Sequence, residues 1–319
     1  MLWLSGEVME KLLDMREVIS RVELAFREHG LGRVQMPAKT YLQFERGDLR
    51  AMPAYIKALE AAGVKVVTVH PENPAKGLPT VMATYVLVSP ETGEPLAIMD
   101  ATLLTDMRTG AAGAVASRYL ARKDSRVLGL VGAGRQAKTQ LMAICEIFSI
   151  EKLLVSSRGR RSAVALAELA GRMGIDAKVC EPAEACNADI VCTTTPSREP
   201  VLRADWVREG VHINAIGADA PGKQELEAGI LHRAKVVVDD IEQAAHSGEI
   251  NVPLSRGEFS LERVHATLGE IVAGNKPGRT SDEEITVFDS TGLGIQDVAT
   301  AAAAYARATE LGAGERLGG

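Results

Sequence analysis

Hydrophobic residues recur with helical spacing near the start of the chain, in the segment LLDMREVISRVELAFREHGLG. Residues three and four positions apart share one face of a helix, so this spacing predicts an amphipathic helix. Asp14 can cap its first turn, with Glu17 three residues later, and Gly30 stands where a C-cap is expected. The buried stripe is predicted to consist of Val18, Val22, Ala25 and Phe26.

Residues 36–100 follow a different pattern, rich in β-branched residues and divided by turn signals. The segments KTYLQF, VKVVTVH, LPTVMATYVLVS and EPLAIMDATLL are each predicted to form a strand, and SPETGEP is typical of a hairpin connection. We therefore expect a mostly antiparallel sheet. A helix is predicted to follow from near Thr105. Its face of small residues permits close packing: Gly110, Ala111, Gly113 and Ala114.

From residue 126 onward, short apolar strands alternate with helical segments. The strands are VLGLVG, KLLVSS, DIVCTTT, HINAIG, KVVVDD and ITVFDS. Strands separated by helices build βαβ units with a parallel sheet, so this part is predicted to be an α/β domain. The polar stretch ARKDSR before it is a candidate domain boundary, and an alanine-rich helix is predicted from Val298 to Leu311.

A glycine-rich segment lies between the first strand and helix of this α/β pattern, in RVLGLVGAGRQAKTQL. Gly132 and Gly134, followed by Ala137, allow a sharp turn and a close approach to a pyrophosphate, which rests on the helix N-terminus. The strand–turn–helix context favours a dinucleotide site over a structural turn. The strand that ends in CTTTPS places Thr194 and Thr195 where ligands bind in such sheets.

The end of the next strand indicates which dinucleotide binds. An acid at this position would bind the ribose 2′-hydroxyl of NAD, but the chain reads VSSRGRR and has no carboxylate there. Ser157 and Arg158 can hold a 2′-phosphate, and Arg160 or Arg161 adds positive charge. The prediction is therefore NADP(H) in preference to NAD(H). The alternative is that these arginines are the solvated start of a helix.

Three charged residues stand in unusual places. Lys65 interrupts the apolar run AGVKVVTVH, and Arg108 falls in the first turn predicted for its helix, where a cation is unfavourable. Both positions make sense if an anion binds there, and arginine matches a carboxylate well. Asp219 is a lone acid at the end of the apolar strand of HINAIGADAPGKQEL, and a tight turn and a helix are expected after it. The alternatives are separate surface charges and a helix N-cap.

Composition and charge narrow the function classes. The chain of 319 residues has a net charge of −6 and no basic stripe, so no nucleic-acid partner is expected. No apolar run reaches the roughly 18 residues of a membrane span, and the N-terminus does not resemble a signal peptide, so a cytoplasmic protein is expected. The four cysteines lack metal-ligand spacing, and no metal site is predicted.

Several motifs together resemble the ornithine cyclodeaminase/mu-crystallin family of NAD(P)-dependent enzymes, and most of all its archaeal alanine dehydrogenase branch. They are MPAKTYLQF, DLRAMPAY, VKVVTVHPENPAKGLPTVMATYVL, AIMDATLLTDMRTGAA, VGAGRQA, HINAIGADAPGKQEL and FDSTGLGIQD. The resemblance implies a homodimer with a Rossmann domain and an α+β domain. The substrate-binding and dimerisation domain would be residues 1–118 joined by a C-terminal helix at 299–319, and the NAD(P)-binding domain would be residues 119–298.

The resemblance also implies roles for individual residues. Lys65 and Arg108 match positions that bind the substrate carboxylate, and Lys39 matches a position with the same role. Asp219 matches the catalytic aspartate, and Lys65 is the second candidate for a catalytic role. The residues expected to bind the cofactor are Thr80, Gly132, Gly134, Arg135, Gln136, Ser157, Arg158, Thr194, Thr195, Ile216, Gly217 and Ser290.

One position departs from the cyclodeaminase pattern. Arg50, in DLRAMP, stands where the ornithine cyclodeaminases have a glutamate near the distal amine of ornithine. A cation there would repel an ammonium and suit a short substrate, so Arg50 is also expected to bind substrate. The hypothesis is therefore an alanine dehydrogenase that reductively aminates pyruvate. A cyclodeaminase that converts L-ornithine to L-proline and ammonia, a ketimine reductase and a non-catalytic NADP-binding protein remain as alternatives.

Overall fold

The computed structural model describes residues 1–318 and divides the chain into two units. The first unit contains residues 1–108 and the chain from residue 293 on, and the second contains residues 109–292. These divisions differ from the boundaries predicted at 118/119 and 298/299. The first division falls within a continuous helix, Thr102–Leu120, so the polar stretch ARKDSR marks the end of that helix rather than the division.

The first unit is built on an eight-stranded, mostly antiparallel sheet with the strand order β16-β1-β7-β6-β5-β4-β2, in which β3 also pairs with β4. Helices α2 and α11 pack against each other, and α11 packs on the central strands β4 and β5. The strands are β1 (Leu2–Leu4), β2 (Val34–Gln35), β3 (Thr40–Phe44), β4 (Gly47–Ile56), β5 (Ala61–Val69), β6 (Val81–Val88), β7 (Pro95–Asp100) and β16 (Glu315–Arg316), and the helices are α1 (Gly6–Leu12), α2 (Met15–Gly30), the start of α3 (Thr102–Leu120) and α11 (Gly294–Leu311).

The structure confirms two of the three local features predicted for this unit. The predicted cap of α2 is confirmed, because Asp14 accepts a hydrogen bond from the backbone N–H of Glu17 at 3.0 Å. The predicted C-cap is wrong: Gly30 is still helical, and Gly32 is the glycine with a left-handed backbone (φ 68°). The hairpin between β6 and β7 is confirmed, and Gly93 turns its loop with φ 76°.

The sequence pattern did not reveal β4, which is the longest strand of the sheet. Pro53 lies in its middle, and proline usually interrupts a strand because it lacks a backbone N–H. On one side β4 pairs with β5 along its length, and on the other it pairs with β3 as far as Ala51 and with β2 from Tyr55 on. Pro53 therefore occupies the gap between two partner strands, where a missing donor costs least.

The second unit is an eight-stranded parallel sheet with the order β10-β9-β8-β11-β12-β15-β13-β14, and apolar clusters cover both of its faces. The predicted fold class, an α/β Rossmann domain together with an α+β domain, is confirmed. The strands are β8 (Val127–Val131), β9 (Lys152–Ser156), β10 (Asp176–Val179), β11 (Ile190–Thr193), β12 (His212–Ala215), β13 (Ala234–Val238), β14 (Val264–Thr267) and β15 (Ile285–Asp289), and the helices are α4 (Arg135–Cys145), α5 (Arg160–Arg172), α6 (Pro182–Ala185), α7 (Ala228–Arg233), α8 (Ile241–Ser247), α9 (Asn251–Ser255) and α10 (Leu268–Val272).

The small-residue face of α3 allows the close packing that the sequence predicts. A Cβ atom added at Gly110 would lie 2.5 Å from the backbone oxygen of Thr139, and one at Gly113 would lie 2.1 Å from the side chain of Gln140. Both glycines therefore let α3 approach α4 within the second unit. Across residues 1–318, no helix is long and apolar enough to cross a membrane, and no group of metal-binding side chains is found in that range.

Candidate active site

The first candidate site is built around a lysine inside the sheet of the first unit. Lys65 lies in the middle of β5, in register with Met52 on β4 and Tyr85 on β6, and its side chain is fully buried. Alternation along the strand places this side chain on the same face as the buried Val67, whereas Val66 points to the opposite, exposed face. A buried ammonium needs a partner of opposite charge.

That partner is Asp297, in the first turn of α11. Its Oδ1 atom accepts a hydrogen bond from Nζ of Lys65 at 2.8 Å and forms an ion pair with Nε of Arg108 at 3.0 Å. Arg108 also donates from Nη1 to Oε1 of Gln296 at 2.7 Å. Because α3 begins at Thr102, Arg108 lies in the second turn rather than the predicted first turn, and its charge is balanced by Asp297. The structure thus brings Lys65 and Arg108 together around one carboxylate.

Charge and burial perturb the groups of this cluster. The pKa of Lys65 is lowered to about 7, first by burial and then by the cation of Arg108, while Asp297 acts in the opposite direction. Burial and the negative charge of Asp297 raise the pKa of Tyr85 well above its usual value, so its phenol stays neutral. A lysine that titrates near neutral pH can both bind an anion and exchange a proton.

The other two cations proposed for the substrate have different surroundings. Nε of Arg50 is bound to Oδ1 of Asp48 at 2.7 Å, Nη2 reaches Oδ2 at 3.3 Å, and the guanidinium lies over the ring of Tyr41. Arg50 is therefore neutralised within its own strand. Lys39, directly before β3, lies near enough to Lys65 to lower the pKa of that lysine. The carboxylate cluster is therefore defined as Lys65 and Arg108 together with Asp297, the acid that pairs with both.

The second candidate site lies at the carboxyl ends of β8, β9 and β11 in the second unit, where the strand order changes direction and ligands bind in such sheets. Gly132 has φ 110°, and a side chain there would meet Thr194. Gly134 precedes α4, has open space where a side chain would be, and no side chain caps this helix. The first backbone N–H groups of α4 thus face a space suited to a phosphate.

Six of the predicted cofactor residues surround one cavity of about 310 Å³ at this edge. Thr194 contributes a buried hydroxyl oxygen that has no partner in the structure, which fits a site completed by a polar ligand. No acidic residue lines the cavity, and the exposed side chain of Arg158 is at its rim. The six residues are Gly132, Gly134, Ser157, Arg158, Thr194 and Thr195.

A buried glutamate connects the carboxyl ends of two neighbouring strands in this region. The carboxylate of Glu225 accepts hydrogen bonds from Thr193 (Oγ1, 2.6 Å), Thr195 (N, 2.6 Å; Oγ1, 2.7 Å) and Gly217 (N, 2.7 Å). Burial raises the pKa of Glu225, and these four hydrogen bonds oppose the rise. Glu225 therefore fixes the ends of β11 and β12, and with them the cavity residue Thr195.

Asp219 lies two residues beyond Gly217, and its side chain is 37% exposed. Nζ of Lys223 donates to its Oδ1 at 2.5 Å. The tight turn expected after it is present, with Gly222 at φ 76°, but the helix expected from GKQEL is absent, because the next helix begins at Ala228. The N-cap interpretation of Asp219 is therefore wrong, and the carboxylate remains partly accessible.

The remaining predicted residues have the following places. Arg135 and Gln136 form the first turn of α4, and Ile216 is buried beyond β12, where its N–H donates to the carbonyl of Thr193 at 3.0 Å. Ser290 follows β15 and is buried, and its hydroxyl has no hydrogen-bond partner within residues 1–318. Thr80 belongs to the first unit, where its carbonyl accepts a hydrogen bond from the N–H of His70 at 2.8 Å.

A model of the ornithine cyclodeaminase/mu-crystallin family matches residues 1–312. The chain belongs to this family. It is 54% identical to an alanine dehydrogenase of Archaeoglobus fulgidus over 98% of this chain and 97% of the relative. A solved archaeal alanine dehydrogenase dimer with bound NAD has a TM-score of 0.98, 54% identity, and coverage of 99% and 98%. The Δ(1)-pyrroline-2-carboxylate reductase of Thermococcus litoralis, solved with NADH and L-proline, has a TM-score of 0.97, 44% identity, and coverage of 99% and 100%.

Within this family member, sequence reasoning missed the acids that organise both sites. Asp297 stands in GIQDVATAAAAYA, where an acid near a helix start reads as an ordinary response to the helix dipole. The available signal was an acid at the start of a long alanine-rich segment. Glu225 follows a turn and precedes Leu226, and no local pattern indicates that it is fully buried.

Proposed function

We propose that the chain is an NAD(P)-dependent amino-acid dehydrogenase that reversibly converts pyruvate and ammonia to L-alanine. The observation that carries this proposal is the buried pair of cations, Lys65 and Arg108, held on the single carboxylate of Asp297. Two cations and one anion leave a positive charge for the carboxylate of a small 2-oxo acid. Identity of 54% to an alanine dehydrogenase supports the choice of pyruvate within that class.

The residues around the second cavity fit a nicotinamide dinucleotide. Gly132 and Gly134 would admit its pyrophosphate to the N-terminus of α4, and Thr194 would donate to it. The absence of an acid around the cavity and the presence of Ser157 and Arg158 favour NADP(H) over NAD(H), while two solved relatives bind NAD or NADH. When bound, the cofactor supplies the hydride.

The chain's own side chains would bind the substrate and move protons. Lys65 and Arg108 would hold the carboxylate of pyruvate, which orients its C2 carbonyl. Ammonia would add to C2, one proton from solvent would convert the carbonyl oxygen to a hydroxyl, and loss of water would leave an iminium that the cofactor's hydride would reduce to L-alanine. Asp219 would donate the proton that the departing hydroxyl needs and take one from the attacking amine.

A second candidate is the reduction of a cyclic imine acid. A relative with 44% identity is a Δ(1)-pyrroline-2-carboxylate reductase, whose substrate also places a carbon–nitrogen double bond beside a carboxylate. The same cations would bind it. Because Asp48 neutralises Arg50, the charge of Arg50 alone does not exclude an ornithine ammonium, so ornithine belongs among the substrates tested.

The test is a comparison of substrates, followed by absorbance at 340 nm. NADPH and NADH are each offered with pyruvate plus ammonium and with Δ(1)-pyrroline-2-carboxylate, and proline is measured separately from ornithine. Ammonium-dependent oxidation with pyruvate, faster than with the cyclic imine, is expected. Faster turnover of the cyclic imine than of pyruvate would indicate an imine reductase instead of an alanine dehydrogenase. Formation of proline from ornithine would indicate a cyclodeaminase. Cofactor binding without any turnover would indicate a binding protein.

The substitution Asp219→Asn tests the proton-transfer role. It keeps the shape of the side chain and removes its ability to carry a proton, so kcat for reductive amination should fall by about 10²- to 10⁴-fold. NADPH binding, measured by fluorescence, should stay within about twofold of the wild type. Asp205→Asn removes an exposed carboxylate of the same unit and is the control. A kcat within about threefold of the wild type in Asp219→Asn would rule out this role.

We also infer that the protein forms a homodimer through the first unit and works in the cytoplasm. The sheet face opposite α11 carries exposed apolar side chains, among them Val66 (36% exposed) and Met82 (38%). Such a face is typical of an interaction surface, and a solved relative is a dimer. All four cysteines are free, which suits a reducing compartment.

A further inference from the structure

Asp297 pairs with both proposed substrate-binding cations but has no role in the reaction proposed above. It is fully buried, although an ionised carboxylate in an apolar helix is costly unless it is paired. The start of a helix favours an acid, but that benefit is also available to an exposed residue. The burial of Asp297 is therefore explained by its ion pairs with two buried cations, Lys65 and Arg108.

The geometry assigns Asp297 a specific task. Its Oδ1 atom alone contacts both Nζ of Lys65 on β5 and Nε of Arg108 on α3, at 2.8 and 3.0 Å. Gln296, one residue earlier on α11, fixes Arg108 at Nη1 as well. With Nε and Nη1 engaged on α11, the other guanidinium edge is left for a second anion.

Buried atoms without partners mark the same place. Oδ2 of Asp297, the hydroxyl of Tyr85 and Nε2 of Gln296 are buried and have no hydrogen-bond partner in the structure. Native proteins rarely leave several neighbouring polar atoms unpaired. A carboxylate ligand would supply an acceptor for the hydroxyl of Tyr85 and for Nε2 of Gln296.

We propose that Asp297 is the positioning residue of the substrate-carboxylate site, holding Lys65 and Arg108 side by side and leaving them one positive charge in excess when Lys65 is protonated. This proposal rests on the proposed function, because it names how that site recognises a carboxylate. Asp297 does not touch the reacting carbon. It acts through the two cations that bind the substrate.

The charge of Asp297 matters because of what else faces Lys65. Arg108 comes from α3, Lys39 from the segment before β3, Tyr85 from β6 and Asp297 from α11. Burial and the two other cations lower the pKa of Lys65, and Asp297 is the group that raises it. Without this carboxylate, Lys65 would lose its proton at a lower pH and could no longer attract an anion.

The test compares Asp297→Asn with the wild type. Asparagine keeps an oxygen near Lys65 and removes the charge, so the KM for pyruvate at pH 7.5 should rise on the order of 10- to 100-fold, and kcat should change less. The alkaline limit of the profile of 1/KM against pH should move to lower pH. NADPH affinity should be unchanged. An unshifted profile with a KM within about twofold of the wild type would overturn the proposal.

A matched control is Glu28→Gln, which removes another buried carboxylate of the same unit, on α2, whose partner is Arg33. Any general effect of removing a buried acid should appear there as a lower melting temperature, with an unmoved pH profile. An equal shift of the profile in Glu28→Gln would count against a specific role for Asp297.

A measurement on the unaltered protein covers the case in which Asp297→Asn does not fold. Pyruvate is titrated calorimetrically into the enzyme–NADPH complex without ammonium at pH 8, in two buffers with different ionisation heats. Binding an anion beside Lys65 should raise the pKa of that lysine and take up a fraction of a proton. Binding without proton uptake would overturn the proposal.

The same titration separates this proposal from the proposed function. L-Proline serves as the carboxylate probe if pyruvate does not bind. Proton uptake with L-proline alone would support the role of Asp297 and reject pyruvate as the substrate. If neither carboxylate binds to the enzyme–NADPH complex, both proposals fail.

Discussion

At the scale of single residues, the loop after β9 lines the proposed cofactor cavity and would distinguish NADP(H) from NAD(H). Ser157 and Arg158 line the cavity, and the Oγ atom of Ser157 accepts a hydrogen bond from Gly159 at 3.3 Å. An NAD-specific site of this fold places a carboxylate at the end of this strand. The guanidinium of Arg158 instead matches the charge of a 2′-phosphate, and the hydroxyl of Ser157 can hydrogen-bond to it.

Arg158→Ala tests this choice. Loss of the guanidinium should raise the KM for NADPH by about 10- to 100-fold and leave the KM for NADH within about twofold, because only NADPH carries the extra phosphate. The control is Arg172→Ala, which removes an exposed arginine from the far end of α5, the helix that follows Arg158. Equal changes for both cofactors in steady-state kinetics would contradict the assignment.

At the scale of elements, buried carboxylates join the loops at the carboxyl edge of the parallel sheet. Glu249 accepts hydrogen bonds from the N–H groups of Glu225 and Leu226, and Asp289 accepts from the N–H groups of Glu249 and Ile250. Backbone N–H groups of irregular segments thereby find partners without forming a strand. Loops that carry Thr195 and Gly217 are in this way fixed to strands on either side.

Glu249→Gln tests the energetic cost of this arrangement. Burial, together with Glu225 and Asp289, raises the pKa of Glu249 well above its usual value of 4.5. Between those two pKa values the folded state binds a proton that the unfolded state has released, so wild-type stability falls as pH rises through that window. The variant has no such proton, and its stability relative to the wild type should therefore increase from pH 5 to pH 8.

Urea unfolding of both proteins at several pH values measures this difference. Glu242→Gln, which removes an exposed acid from α8, should show no comparable trend. A stability difference between Glu249→Gln and the wild type that does not vary with pH would mean that Glu249 is ionised in the folded protein at little cost.

At the scale of the whole molecule, the outward face of the antiparallel sheet is the surface that has no helix of its own unit upon it. α11 packs on β4 and β5 from the other side, where Lys65 and Val67 point. The exposed apolar residues of this region come from three strands and a loop. They are Leu42, Phe44, Val66, Leu78 and Met82.

The double substitution Val66→Lys and Met82→Glu tests whether this face forms the homodimer. Charges buried at an apolar interface are costly, so light scattering should report a change from twice the 34.0 kDa chain mass to the mass of a single chain. Val164→Lys changes a residue of similar exposure (40%) on α5 and should leave the mass unchanged. A dimer that survives the double substitution would place the interface elsewhere.

Several features could be predicted from the sequence because their causes lie within a few residues. Asp14 caps α2 through the N–H of Glu17, three positions away. Gly132 stands between a strand and a helix, and the turn that it allows needs only its own backbone freedom. Alternating strands and helices after residue 126 determine a parallel sheet, and its carboxyl edge then gathers six of the twelve predicted cofactor residues around one cavity.

Other features depend on contacts between distant parts of the chain, which no local pattern records. Lys65 and Asp297 are 232 positions apart, and only the packing of α11 on β5 joins them. Pro53 is accepted in β4 because two partner strands leave a gap beside it. The sequence by itself thus determined the class of fold, the glycine turn and the cations. Tertiary packing decided which carboxylates those cations meet, because a buried charge is tolerated only where the fold brings it a partner.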